Sequence, residues 1–212
     1  MMIPIYLSPR HFLAASALGL MGVLAGCNVA QPAQDDPTRY FVLSEPAATT
    51  AASSGGARIG LRSVHIEGYL KHREMVVRTG ANEVEFRDYR RWAEPIDVAL
   101  GRVLRASLLD SPAVAQVVAE PFPLDLERDY DVSIEFRRCE GIATRSGGYG
   151  ASFVATFEVS TTGASPRVVA HRTFVAPDSA WDGHDFGQLA SLLSADAAAL
   201  GQDVAAAIAA KN

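Results

Sequence analysis

Cysteine is almost missing from this 212-residue sequence: only Cys27 and Cys139 occur, so neither a disulfide framework nor a CxxC metal knuckle can be built. Basic residues are outnumbered, with 19 Lys and Arg against 24 Asp and Glu and a net charge of -5. No global positive field exists to hold a polyanion, and nucleic acid is not an expected partner. Catalytic signatures are missing as well. His65, His72, His171 and His184 are scattered without HxH or HExxH spacing, and G-x-S-x-G is absent. The glycines at 147, 148 and 150 fall between two strand-like runs, which makes a hairpin and not a phosphate cradle. The acid pairs Glu83/Glu85 and Asp182/Asp185 read as a solvated face and as partners of a helix start. The expectation is no enzyme: no catalytic residue, no cofactor and no metal site. What is present, 49% hydrophobic and 20% charged residues, is the composition of a folded, water-soluble chain.

The N-terminus departs from that average. Arg10 and His11 precede FLAASALGLMGVLA, residues 12–25, with no acid before them. As a helix this run spans about 21 Å, short of the roughly 30 Å hydrocarbon core, so it reads as a secretory signal and not as a permanent span. Leu24-Ala25-Gly26-Cys27 follows at once and resembles the lipobox of bacterial lipoproteins. That resemblance implies cleavage after residue 26 and acylation of Cys27. Several acyl chains, each giving about 0.8 kcal/mol per buried CH₂, hold a protein at a bilayer without a transmembrane helix. Asn28 follows the cysteine, and by resemblance to the sorting rule that keeps Asp-bearing lipoproteins in the inner membrane, the outer membrane is expected. With Cys27 acylated, Cys139 has no partner for an internal disulfide and reads as a buried thiol.

Residues 27–38 read as a lipidated tether with Pro32 and Pro37, reaching roughly 40 Å when extended. Residues 39–212 read as one domain. Arg39–Leu43 is a first strand candidate, followed by a low-complexity loop from Ser44 to Gly56. Between Ala57 and Glu67, Ile59 and Leu61 share one phase while Val64 and Ile66 share the opposite one, which predicts a bulge near Arg62-Ser63. Two short strands flank the turn Thr79–Asn82. From Pro95, the spacing of Ile96, Leu100, Val103, Leu104 and Leu108 predicts an amphipathic helix ending at Ser111-Pro112. Val114–Val118, Tyr130–Glu140, Ser152–Ser160 and Arg167–Val175 read as strands, the last three as an antiparallel meander. Residues 185–211 hold ten alanines and a stripe of Phe186, Leu189, Leu193, Leu200, Val204 and Ile208, the pattern of a helix. Gln188, Asp196, Gln202 and Asp203 are assigned to its wet face. The expected fold is α+β: an antiparallel sheet with two helices packed on one face.

Arg87, Arg90 and Arg91 form a basic cluster beside Tyr89 and Trp92, with Glu85, Asp88 and Glu94 as available partners. Docking to an acidic partner or to lipid headgroups and plain salt bridging are the two readings open to it. A family pattern passes through the same stretch. Tyr69-Leu70, then Met75-Val76-Val77-Arg78, then Arg91-Trp92-Ala93-Glu94-Pro95 opening the helix, resembles the auxiliary lipoproteins of ABC-type and MCE transport systems, the PqiC type. The lipobox, the early Tyr-Phe-Val-Leu strand, Asp129-Tyr130 and the Ala-rich last helix follow the same order. Two features depart from the pattern: Tyr69-Leu70-Lys71-His72-Arg73 stands where the family usually has Tyr-Leu-Asp-Arg-Pro, and Phe replaces a family Trp around residues 153–157.

The resemblance implies a non-catalytic, lipid-anchored periplasmic subunit of a lipid-trafficking system maintaining outer-membrane integrity. It also implies an MCE-domain transport protein as partner and self-assembly into a homo-oligomeric ring. Tyr69, Leu70, Arg91, Trp92 and Glu94 are the residues expected to serve partner docking or the structure of the motif. Trp92 is expected to pack under the helix start, with Arg91 or Glu94 paired. The alternative is a free-standing periplasmic lipid carrier, which requires an apolar cavity.

Overall fold

The computed structural model describes residues 35–47, 55–144 and 147–211. The chain divides into two units, Met1–Pro37 and Thr38–Asn212. Of the first, only residues 35–37 are described, so the lipobox and Cys27 lie outside the described residues.

The second unit carries nine strands: β1 (Arg39–Phe41), β2 (Ala57–Ile66), β3 (Glu74–Gly80), β4 (Glu83–Trp92), β5 (Val114–Ala119), β6 (Tyr130–Ala143), β7 (Tyr149–Thr161), β8 (Val168–Val175) and β9 (Ser179–Trp181). Two α-helices join them, α1 (Ile96–Leu109) and α2 (Phe186–Ala209), with a short 3₁₀ turn over Gly68–Lys71 between β2 and β3. All nine strands form one sheet in which β6 is the hub. Along one edge β6 meets β2 over Tyr130–Phe136 and then β3 at Gly141 and Ile142; along the other it pairs with β7 over its length. The far edge of β7 is shared in turn by β8 and β9.

The α+β architecture is the expected one, but the sheet is mixed, not purely antiparallel. β1 runs parallel to β4, β5 parallel to β2, and both β2 and β3 parallel to β6. Parallel neighbours need long crossovers, and the β3–β4 hairpin with α1 supplies one between β2 and β5. The meander of β6, β7 and β8 is antiparallel. The register of β2 against β6 shifts between Leu61 and Ser63, where the phase change in the sequence places a bulge.

The helices cover one face. Ile59, Leu61, Val132, Ile134, Phe136, Phe153, Ala155, Phe157 and Val159 are buried there with Leu100, Val103 and Leu104 of α1 and Leu189, Leu193, Leu200 and Val204 of α2. Asp185 caps α2, its side chain accepting from the backbone N–H of Gly187 and Gln188. The helices cross closely at Gly201, where a Cβ would lie 2.6 Å from the Ser107 hydroxyl oxygen. That hydroxyl donates to the Ala198 carbonyl at 2.6 Å. By length and composition α2 resembles a membrane span, yet it is a core helix of the domain, mostly buried.

Asp196 corrects one expectation. It is only 8% exposed and faces inward from α2, not toward water. Burial pushes its carboxyl up to about 6, and burial first, then the nearby Asp196 charge, pushes up the thiol of Cys139, a residue 3% exposed on β6.

Candidate functional site

The residues singled out by the sequence gather where β2 leaves β6 and β3 replaces it. The 3₁₀ turn fills that gap. Glu67 donates its backbone N–H to the Phe136 carbonyl at 3.1 Å, Leu70 is buried at 4% exposure, and Tyr69 turns to the sheet face that the helices leave open. There the Tyr69 hydroxyl donates to the Arg137 carbonyl at 3.2 Å and accepts from Arg78 Nη2 at 3.2 Å. The Arg78 guanidinium also lies 5.5 Å from the Tyr69 ring centre and donates through Nε to Glu140 Oε1 at 2.6 Å.

This is a buried ion pair. The Glu140 side chain is fully buried, the Arg78 side chain 19% exposed, and Glu140 Oε2 has no hydrogen-bond partner. The hydrogen bond to Glu140 raises the Arg78 guanidinium further above its ordinary range. Burial, then the nearby Glu140 charge, pushes the Tyr69 hydroxyl up to about 12, so it stays a proton donor.

The Arg-Trp-Ala-Glu motif closes the other side of β3. Trp92, 5% exposed, donates its backbone N–H to the Arg73 carbonyl at 2.7 Å, and Arg91 lies opposite Glu74, with Nη2 3.5 Å from Oε1. Glu94 reaches forward: its Oε1 accepts from Arg102 Nη2 at 2.6 Å, while the same guanidinium bonds the Leu43 carbonyl and Glu45. Arg102 thereby ties the segment after β1 to α1, with Glu94 as its second carboxylate partner. The structure thus joins Tyr69 to Arg78 and Glu140, and Arg91 and Trp92 to the start of β3, but it leaves Glu94 in a separate network.

The basic cluster on β4 resolves into pairs. Arg87 meets Glu85 at 3.1 Å, and Arg91 takes Glu74 in place of the carboxylates nearest in sequence. Arg90 bonds the Tyr89 carbonyl and stands 5.8 Å from the Phe186 ring centre. With Phe86, Arg87, Tyr89 and His184 it borders an open cleft of about 430 Å³.

A second basic group was not singled out from the sequence. The register of β6 against β7 shifts between Phe136 and Arg138, and the bulge leaves Arg137 and Arg138 both exposed on consecutive positions. Lys71, His72 and Arg73 are exposed too, on the turn whose Tyr69 hydroxyl holds the Arg137 carbonyl. The signal was the Arg137-Arg138 doublet itself, which breaks the alternation of Val132, Ile134 and Phe136.

Among the described residues no group of His, Cys, Asp and Glu has the arrangement of a metal site. Comparisons with known proteins bear on the whole domain. A family model described as the ABC-type transport auxiliary lipoprotein component matches residues 41–205. A crystal structure of protein XCC0632 from Xanthomonas campestris, of the DUF330 family, is similar with a TM-score of 0.66 at 16% identity, covering 79% of this chain and 93% of that one. A crystal structure titled only as an uncharacterized protein gives 0.59 at 17% identity, covering 79% and 96%. A PelC dodecamer from Paraburkholderia phytofirmans gives 0.41 at 14% identity, covering 72% and 92%. No curated protein matches the chain.

Proposed function

Because the chain belongs to the ABC-type transport auxiliary lipoprotein family, matched over residues 41–205, we propose that it is the lipid-anchored docking subunit of an MCE-type lipid transport system that maintains outer-membrane integrity. The family match across nearly all of the folded domain is the observation that carries this reading. A transport auxiliary needs attachment and binding surface, and the domain offers an open sheet face beside the Tyr69 and Arg91-Trp92 elements. Cys27, acylated after cleavage at residue 26, is the membrane attachment, residues 27–38 are the tether, and residues 39–212 face the periplasm from the outer membrane. The partner is an MCE-domain protein, and assembly of several copies into a ring belongs to the same reading.

The test is recovery of the tagged full chain from its native envelope after mild crosslinking. An MCE-domain protein in the eluate is the expected outcome, and its consistent absence overturns the partner assignment. Labelled fatty acid on the wild-type chain but not on Cys27→Ser tests the anchor independently. The lipid-carrier reading gains no support from the clefts lined by described residues, which are open and bordered largely by charged and hydroxyl side chains such as Arg87, Arg90, Glu135, Glu158, Arg128 and Asp129.

A further inference from the structure

We propose that Lys71, Arg73, Arg137 and Arg138 form a docking patch for the anionic headgroup surface of a phospholipid bilayer. Four observations lead there. First, the positions converge. Ile66 pairs with Phe136 at the end of β2, the Tyr69 hydroxyl holds the Arg137 carbonyl, and Arg73 lies four residues before Val77, the partner of Gly141 on the parallel β6. Counting back from that pair sets Arg73 and Arg137 at matching heights on either side of the gap that the 3₁₀ turn fills, and Lys71 is the last residue of the turn itself. Second, all four are exposed and none is in a salt bridge with a described residue, whereas Arg58, Arg62, Arg78, Arg87, Arg91, Arg102, Arg128 and Arg172 each meet a carboxylate. Of the acids near them in sequence, Glu67 and Glu135 pair with none of the four, Glu74 is taken by Arg91 and Glu140 by Arg78. Third, none of the four lines the clefts bordered by Arg90, by His171 or by Asp129, and all four stand exposed. Fourth, Phe86, 40% exposed, packs at a tilt against His72 with ring centres 4.8 Å apart, placing an aromatic ring at the border of the patch, where a bilayer interface accepts one.

The net charge of -5 does not oppose this. At physiological salt, charges more than about 8 Å apart are screened, so a membrane meets the local cluster and not the whole chain. Each Lys or Arg near an anionic leaflet raises partitioning about fivefold. The choice of a bilayer over an acidic protein rests on the proposed anchoring, which keeps the domain within tether reach of one; a polybasic patch then supplies a second, orienting contact.

The experiment separates the two claims by using residues 28–212, which lack both the apolar run 12–25 and the lipid-bearing cysteine and keep the whole folded unit. Its co-sedimentation with phosphatidylcholine vesicles is compared with that on vesicles containing a third phosphatidylglycerol, in low and in high salt. Expected is binding to the anionic vesicles alone, abolished by salt, and weakened at least tenfold by the Lys71→Gln, Arg73→Gln, Arg137→Gln, Arg138→Gln variant. A control variant with the same change of charge, Arg39→Gln, Arg105→Gln, Arg167→Gln, Lys211→Gln, binds nearly as well as the parent, and circular dichroism melts confirm that both variants fold. Equal binding to neutral vesicles, or equal loss in both variants, overturns the patch. So does a quadruple variant that keeps vesicle binding but loses a protein partner, which reassigns the surface to an acidic protein. Fatty-acid labelling of Cys27 reports on the anchor whichever way these results fall.

Discussion

Arg78, Arg87 and Arg91 on β3 and β4 each end on a carboxylate, while Lys71 and Arg73 on the segment before β3 and Arg137 and Arg138 on β6 end in solvent. The difference lies in what the sheet brings opposite each side chain. β3 sets Arg78 against Glu140 and Glu74 against Arg91, whereas the bulge in β6 leaves two successive arginines exposed, Arg138 opposite the apolar Val154 and neither paired with a described carboxylate. Among cations of the first kind the cost of removal follows burial, high for Arg78 and small for the partly exposed Arg87 and Arg91. Cations of the second kind contribute little to folding and remain available for an external partner.

The sharpest way to break this comparison is at its buried end. Arg78→Ala leaves a fully buried carboxylate, already short of one hydrogen bond, without its counter-ion, and the expected loss is about 3–5 kcal/mol in urea denaturation. Replacing both partners, Arg78→Met with Glu140→Leu, should recover most of that loss, because the penalty is that of an orphaned charge and not of a missing attraction. A double variant as unstable as the single one would mean that Arg78 acts through packing on Tyr69.

Asp196 gives the next largest effect, with the opposite sign. Its folded carboxyl titrates near 6, above the ordinary value of 3.8 expected for the unfolded chain. Below about pH 4 both states hold the proton and the residue costs nothing. Stability falls as the pH rises through that window, and above 6 the full penalty applies, about 1–3 kcal/mol. Asp196→Asn should therefore stabilise the domain at pH 8 and not at pH 3.5. A pH-independent gain would trace the effect to helix propensity.

Legibility in the sequence divides along similar lines. The helices at 96–109 and 186–209, the β2 bulge and the three-strand meander follow from periodicity, because each depends on which side of one element is apolar. Strand direction does not: Val76 and Val77 read the same whether β3 runs with or against β6. The Ser179–Trp181 strand was missed because three residues carry no period. Asp196 was assigned to water because its neighbours Ala195, Ala197 and Ala198 leave the helix face ambiguous, and the fold turned it toward Cys139. Of the site, the pairing of Arg87 with Glu85 lay within reach, being two residues apart. The pairs of Arg78 with Glu140 and of Arg91 with Glu74 span the chain and required the register.

Smaller again are the exposed pairs of the Arg-Trp-Ala-Glu motif. Arg91→Gln breaks a 3.5 Å contact with the Arg91 side chain 39% exposed, and a loss of about 0.2–1 kcal/mol in urea denaturation is expected. Trp92 is buried and its backbone bond to Arg73 is untouched by that change, so the strand should keep its register. A loss above 2 kcal/mol would place Arg91 with the buried cations after all.

The smallest expected effect on stability belongs to the free group. Lys71→Gln, Arg73→Gln, Arg137→Gln and Arg138→Gln together should change unfolding free energy by less than about 0.5 kcal/mol, because each side chain is exposed and breaks no salt bridge on removal. The sign is informative. Four like charges on adjacent segments repel one another, so at low salt the quadruple variant should be slightly more stable than the parent, and the difference should vanish as salt screens the cluster. A salt-independent loss of stability would mean that these residues are structural, and the contrast between tied and free cations would fail at the end where it predicts least.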